Sequence, residues 1–101
     1  MALVEVCKVG EIPDGKSKRI VVKRNPIAIF FTAGHYYAID DTCTHAEVSL
    51  AEGDVHDCKV TCPLHGAIFC LKTGEALKLP AVTAVETYPV KIDGETIYVE
   101  V

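Results

Sequence analysis

The sequence predicts an all-β fold with a single domain, residues 1–101. Short segments rich in Val, Ile, Tyr and Phe recur along the chain, and turn residues such as Asp14-Gly15, Ala33-Gly34 and Asp93-Gly94 separate them. No internal repeat, low-complexity segment or linker divides it. Many short strands with closely spaced turn signals are typical of antiparallel β architecture, and a chain of this length is long enough for one domain.

The predicted framework strands lie in two groups, one towards each end of the chain. They cover residues 3–9, 18–23, 26–32, 36–39, 84–92 and 96–101. The third of them is rich in Ile and Phe, which predicts a central, buried strand. In the last one Ile97, Val99 and Val101 occupy alternate positions, which predicts that they share one face. We expect the first four strands to form a meander.

Residues 40–71 have a different character, because strand alternation weakens there and Gly, Pro, Cys and His concentrate. We interpret them as a loop-rich subdomain inserted into a β framework of residues 1–39 and 72–101. The elements predicted inside it are short strands at 54–56 and 59–61 and a helical turn at 46–51.

Each of two short arms, Cys43-Thr44-His45 and Cys62-Pro63-Leu64-His65, carries one Cys and one His, and residues 46–61 lie between the arms. A zinc finger usually pairs like with like, C-x2-4-C and then H-x3-5-H. The single residue between Cys43 and His45 makes it awkward for both side chains to reach one ion. A two-iron cluster removes this difficulty, since each arm can give its Cys to one iron and its His to the other.

The two arms resemble those of the Rieske iron–sulfur proteins, and Gly66-Ala67-Ile68-Phe69, Lys72-Thr73-Gly74 and Pro80 follow in the order of that family. The resemblance covers most of the chain. It implies the Rieske iron–sulfur fold, with antiparallel sheets and a cluster-binding subdomain at one end.

The same resemblance implies one Rieske-type [2Fe–2S] cluster per chain. Its ligands would be Cys43, His45, Cys62 and His65, with the two cysteines on one iron and the two histidines on the other. A structural zinc site is the alternative for these four residues.

A catalytic role is not indicated by the sequence. The chain shows no nucleophile–base pair and is too short to contain an oxygenase domain beside a Rieske domain. It resembles the ferredoxin components of bacterial aromatic-ring-hydroxylating dioxygenase systems. This implies a one-electron carrier between a flavin-dependent ferredoxin reductase and a terminal oxygenase. The alternatives are the small subunit of an assimilatory nitrite reductase and a zinc-stabilised interaction module.

Composition bears on partners and location. The net charge is −4 and no basic stripe with interleaved aromatics is present, so nucleic-acid binding is not expected. The longest apolar run, residues 27–31, is far shorter than the ~20 residues of a membrane-spanning helix, and the N-terminus lacks the basic region of a signal peptide. We therefore expect a cytoplasmic monomer whose spare cysteines, Cys7, Cys58 and Cys70, are inert buried thiols.

An acidic run lies between positions 40 and 57, where the chain has no Lys or Arg. Its members are Asp40, Asp41, Glu47, Glu52, Asp54 and Asp57. Such a run is usually a solvated face, but this one flanks the first arm and is also placed to steer a basic partner towards the cluster. His35 and His56 are expected to face solvent without binding metal. Pro80 either covers the cluster, as the resemblance implies, or lies in an ordinary turn.

High-potential Rieske proteins resemble the chain at both arms but carry a disulfide between the two loops, and Ser and Tyr hydroxyls directed at sulfur. The disulfide positions here are Val48 and Leu64, the Ser position is Ala67 and the Tyr position is Phe69. Hydrogen bonds to sulfur stabilise the reduced cluster, so their loss makes reduction harder. The resemblance therefore implies a reduction potential near the low end of the Rieske range, around −150 mV.

Overall fold

The computed structural model describes residues 2–43, 48–64, 66–79 and 83–101, and strands dominate them. The strands are β1 (Leu3–Lys8), β2 (Lys16–Val22), β3 (Asn25–Thr32), β4 (His35–Asp40), β5 (Asp54–His56), β6 (Lys59–Thr61), β7 (Ile68–Cys70), β8 (Ala76–Lys78), β9 (Thr87–Tyr88), β10 (Val90–Asp93) and β11 (Thr96–Glu100). A short 3-10 helix spans Leu50–Glu52. The predicted all-β class is confirmed. In the described part of the chain no helix is long and apolar enough to cross a membrane.

The strands form three antiparallel sheets. The first has the order β1-β11-β10, the second β2-β3-β4-β9 and the third β5-β6-β7-β8. The expected meander of the first four strands is therefore wrong for β1, which pairs with the last strand. The pairing has a clear advantage, because Val4 and Cys7 face Val99 and Ile97 across it, and both of these β11 side chains are fully buried.

The second sheet contains the meander β2-β3-β4, and its two turns are tight. Lys23 and Arg24 connect the first hairpin with φ values of 50° and 73°, so this turn lies one residue earlier than the sequence suggests. Ala33 and Gly34 connect the second hairpin with φ values of 52° and 79°. Two successive residues with positive φ are the mark of type I′ turns, whose twist suits hairpins.

Strand β3 is the centre of the molecule, as its composition predicts. Four consecutive residues, Ile27, Ala28, Ile29 and Phe30, are fully buried. Ile27 and Ile29 belong to one apolar cluster, which they share with Ile97 and β1 residues, whereas Ala28 and Phe30 belong to a second. A strand that is covered on both faces has apolar residues at consecutive positions, which explains the uninterrupted apolar run in β3.

The predicted strand over residues 84–92 is wrong as one element. It is divided at Pro89 into β9, which pairs with β4, and β10, which pairs with β11. Proline has no N–H to donate to a ladder, so pairing stops there. Its carbonyl still accepts the backbone N–H of Glu100 at 2.9 Å. The break lets the chain pass from the second sheet to the first.

The third sheet contains the two short strands that the sequence predicts, and two that it does not. Strands β5 and β6 have the predicted bounds, and β7 and β8 extend their sheet. The predicted helical turn at 46–51 corresponds in part to the 3-10 helix, since residues 46 and 47 lie outside the described residues. The division at residue 71 stays a prediction, and β8 of this sheet follows it in the chain.

We predict that Gly74→Ala destabilises the fold far more than Gly94→Ala. Both glycines have positive φ, 78° and 62°, but a Cβ on Gly74 would lie 2.1 Å from the carbonyl oxygen of Val85, whereas no described atom lies within 4 Å of a Cβ on Gly94. The backbone N–H of Val85 donates to the Gly74 carbonyl at 2.9 Å, so the two segments cannot move apart without losing this bond. Gly94→Ala should cost about 1 kcal/mol from φ alone, and Gly74→Ala about 3 kcal/mol or more.

Denaturant unfolding of the two variants measures this difference. Equal free energies of unfolding would mean that the Gly74 contact relaxes at little cost.

Candidate metal centre

The first arm begins at the base of a narrow loop. The backbone N–H of Cys43 donates to the carbonyl of Val48 at 3.0 Å, and Thr42 and Ser49 form an antiparallel bridge beside it. The residues after β4 therefore pair with the residues that lead into the 3-10 helix. His45 lies inside this loop but outside the described residues.

The second arm is a closed loop that follows β6. The backbone N–H of Cys62 donates to the carbonyl of Ala67 at 2.6 Å, which brings the two ends of the loop together. Gly66 has φ of 72°, a left-handed conformation that glycine adopts at no steric cost. Pro63 and Leu64 are exposed at the tip, and His65, which follows them, lies outside the described residues.

The two cysteines of the arms meet beneath the loops. Cys43 and Cys62 are 2% and 1% exposed. Burial raises the pKa of the Cys62 thiol, the backbone N–H of Leu64 acts in the opposite direction, and a side-chain hydrogen bond with Cys43 raises the pKa further. The two cysteines also belong to the same buried group of residues. Because a metal ligand must be a thiolate, metal binding here releases protons.

The surroundings of the two sulfurs are apolar. Cys43 and Cys62 belong to one buried cluster with Phe30, Leu50 and Phe69, among others. Two adjacent soft thiols in a dry, close-packed pocket fit one iron of an iron–sulfur cluster. Among the described residues no group of three or more His, Cys, Asp and Glu is placed to hold a metal. The full set of Cys43, His45, Cys62 and His65 stays a prediction.

The histidines outside the arms face solvent, as predicted. His35 is exposed, and so is His56, whose Nε2 lies 3.2 Å from the Asp57 carboxylate. Pro80 lies outside the described residues, so both interpretations of it stay predictions.

The spare cysteines differ from one another. Cys7 is buried, as expected, but Cys58 and Cys70 are only half-buried. The Thr73 hydroxyl and neighbouring backbone N–H groups lower the pKa of the Cys70 thiol. The expectation of buried thiols is therefore wrong for Cys58 and Cys70, and their inertness stays a prediction.

Asp41 is a functional candidate that the sequence pattern does not reveal. The acidic run predicts a solvated carboxylate, but Asp41 is 2% exposed. Its carboxylate accepts hydrogen bonds from Arg19 Nε at 2.9 Å, Ser49 Oγ at 2.7 Å and the Ala51 backbone N–H at 2.9 Å. Arg19 is 22 residues away in sequence, so no local pattern announces this pair.

Two of the four positions that bear on the reduction potential lie in the same apolar cluster as the cysteines. Ala67 and Phe69 are both fully buried there. Val48 packs against this cluster, and Leu64 is 41% exposed at the loop tip. The positions at which a Ser or Tyr hydroxyl would reach sulfur are thus occupied by tightly packed apolar groups.

The three-sheet β fold, the two closed loops and the paired buried cysteines define an iron–sulfur protein of the Rieske type. Residues 2–89 match the Rieske [2Fe-2S] domain family, and the chain belongs to it. Its cofactor is a Rieske-type [2Fe–2S] cluster.

Comparison with individual proteins narrows the class. The chain is 44% identical to the 3-phenylpropionate/cinnamic acid dioxygenase ferredoxin subunit of Shigella boydii serotype 4, over 99% of this chain and 94% of the relative. Its structure is similar to that of the ferredoxin of carbazole 1,9a-dioxygenase from Nocardioides aromaticivorans IC177, with a TM-score of 0.93, 31% identity and coverage of 98% of this chain and 97% of that one.

A ferredoxin chain in a complex with its partner is also similar. A complex of reduced oxygenase and oxidised ferredoxin in carbazole 1,9a-dioxygenase matches with a TM-score of 0.91 and 30% identity, covering 96% of this chain and 91% of that one. These matches favour the ferredoxin interpretation over the nitrite reductase subunit and the zinc-stabilised module that the sequence left open.

We predict a low wild-type potential, around −150 mV, that Ala67→Ser and Phe69→Tyr each raise. A new hydroxyl that donates to sulfur stabilises the reduced cluster, and about 30–60 mV needs only about 0.7–1.4 kcal/mol, which one such hydrogen bond can supply. Protein-film voltammetry measures the change. Phe31→Tyr is the matched control, because Phe31 packs against the other apolar cluster.

A wild-type potential well above zero would show that another donor sets the electronics of the cluster. Equal potentials in the Phe31 and Phe69 variants would show that the hydroxyl at position 69 does not reach sulfur.

Proposed function

We propose that this chain is a one-electron carrier that takes electrons from a flavin-dependent ferredoxin reductase and passes them to a terminal aromatic-ring oxygenase. One observation carries the proposal: the likeness to a dioxygenase ferredoxin subunit extends over 99% of this chain and 94% of that relative. The likeness to a ferredoxin in complex with an oxygenase supports the acceptor.

In this proposal Cys43 and Cys62 would hold one iron of the cluster, and His45 and His65 would hold the other. The cluster supplies the one-electron redox centre. Burial of Cys43 and Cys62 in the apolar cluster keeps water from the sulfurs, and the Leu64 N–H donates to the Cys62 sulfur. Such a donor stabilises the thiolate form that iron requires.

The exposed tip of the second loop supports electron exchange at this edge of the molecule. Pro63 and Leu64 are exposed although Cys62, their neighbour, is 1% exposed. The chain therefore rises from the core to the surface within two residues, and His65 follows directly. A partner that contacts the tip comes within a few residues of a cluster ligand.

We further propose a cytoplasmic monomer. The five cysteines are unpaired, which suits a reducing compartment. Ile27, Phe69 and Ile97 are fully buried within a single chain, which supports a monomer.

The ligand set is tested by iron and sulfide analysis of anaerobically purified variants. Cys62→Ala and His65→Ala should each lose the cluster, because each removes a ligand of one iron. Cys7→Ala, Cys58→Ala and Cys70→Ala are the matched controls and should keep it. Full cluster occupancy in either ligand variant would remove that residue from the set.

The acidic surface that could steer a partner is smaller than the sequence suggests. Asp41 is buried, and Asp40 accepts a hydrogen bond from the Tyr88 hydroxyl at 2.6 Å, so neither is free for docking. Of the described members, Glu52, Asp54 and Asp57 are exposed.

We predict that Glu52→Gln with Asp54→Asn lowers the association rate with the oxygenase and flattens its salt dependence. Screening shortens the Debye length to ~8 Å at physiological ionic strength, so a steered encounter slows as salt rises. Stopped-flow electron transfer across a salt series measures both effects. Asp93→Asn with Glu95→Gln, on the β10–β11 hairpin, is the charge-matched control. If both pairs change the rate equally, net charge and not this surface is responsible.

A further inference from the structure

The carboxylate of Asp41 fastens the base of the first loop to the rest of the molecule. Oδ1 accepts the Ser49 hydroxyl and the Ala51 backbone N–H at 2.7 and 2.9 Å, and Oδ2 accepts Arg19 Nε at 2.9 Å. The backbone of Asp41 adds two more contacts, because its carbonyl accepts the Leu50 N–H at 2.6 Å and its N–H donates to Pro26 at 3.0 Å. One residue thus links both ends of the loop to β2 and β3.

Asp41 also lies close to Cys43, a proposed ligand of the iron–sulfur cluster. It is two residues from Cys43, and two extended residues span at most about 7 Å. Asp41 and Cys43 are both buried at 2%, whereas Thr42 between them is exposed. The buried, exposed, buried order of Asp41, Thr42 and Cys43 indicates that Asp41 and Cys43 both face the interior.

The negative charge of the Asp41 carboxylate is only partly neutralised by its cationic partner. Arg19 forms an ion pair with it, and the Arg19 side chain is 51% exposed while that of Asp41 is 3% exposed. The negative member therefore lies in the protein, and the positive member lies partly in water. Solvent screens the cation more than the anion, so the pair leaves a net negative field on its buried side.

We propose that Asp41 is a positioning residue for the cluster whose buried charge, balanced in part by Arg19, sets its reduction potential. Reduction adds one negative charge to the cluster. A nearby anion makes that step harder, and a nearby cation makes it easier. The loop that Asp41 fastens keeps this anion at a fixed distance from Cys43. The inference depends on the proposed ligand Cys43.

The test compares reduction potentials of the intact holoprotein in Asp41→Asn, Arg19→Gln and the double variant. Asparagine keeps an oxygen for the Ser49 and Ala51 donors, and the half-exposed Arg19 can turn towards water. Asp41→Asn should make the equilibrium constant for reduction larger, on the order of threefold to tenfold. Arg19→Gln should make it smaller by a similar or lesser factor, and the double variant should lie between the two. A tenfold change is 59 mV for a one-electron couple.

Opposite signs are the decisive result. If Asp41 and Arg19 only held the loop in place, either substitution would loosen it. Both potentials would then shift in the same direction, and iron would be released faster to a chelator. Lys18→Gln is the matched control, because it removes one positive charge from the neighbouring position, where Lys18 pairs with the exposed Glu11. It should leave the potential close to that of the wild type.

Shifts of equal sign, or none, in Asp41→Asn and Arg19→Gln would overturn the proposal. If Asp41→Asn does not fold, a lower potential in Arg19→Gln than in Lys18→Gln, with iron release to a chelator as slow as in the wild type, supports the proposal, and equal potentials in these two variants overturn it. Failure of the ligand assignment looks different, since it appears as retained iron in Cys62→Ala and His65→Ala and not as unchanged potentials in an intact cluster.

Discussion

Strand β3 has side chains buried on both of its faces, and the two apolar clusters of the molecule are built against it. Ile27 and Ile29 contribute to the cluster that holds the first and second sheets together. Ala28 and Phe30, which alternate with them, contribute to the cluster that contains Cys43 and Cys62. The β framework and the buried cysteines of the metal centre therefore pack against the same strand. Because protein interiors are close-packed, a change in the packing on one face of this strand affects the other face.

This arrangement explains why two loops of little regular structure can hold a cofactor. Each loop is closed at its base by a backbone hydrogen bond, from Cys43 to Val48 and from Cys62 to Ala67. The bases lie in the core, where Cys43 and Cys62 are almost completely buried, and the second tip rises into solvent at Leu64. The described residues thus constrain both loops at their bases, where the cysteines lie, and leave the tip of the second loop exposed.

The sequence predicts this fold and site unevenly, and the reasons are physical. Patterns that depend on near neighbours are reliable: the all-β class, the tight turns and the bounds of β5 and β6 follow from residues a few positions apart. Pairing between distant segments is not visible in such patterns. Strand β1 looks like the start of a meander, yet its buried residues find better partners on β11 at the other end of the chain.

The acidic run shows the same limit at the level of one side chain. A carboxylate among other carboxylates is predicted to be solvated, and Glu52, Asp54 and Asp57 are indeed exposed. Asp41 differs because Arg19 and the loop donors satisfy it in the interior. Burying a charge is unfavourable unless the charge is paired and hydrogen-bonded. The partners of Asp41 meet this condition, and they also fix the position of its carboxylate. A charge held in this way acts on the iron–sulfur cluster from a constant distance. A carboxylate on the surface changes its distance as its side chain moves.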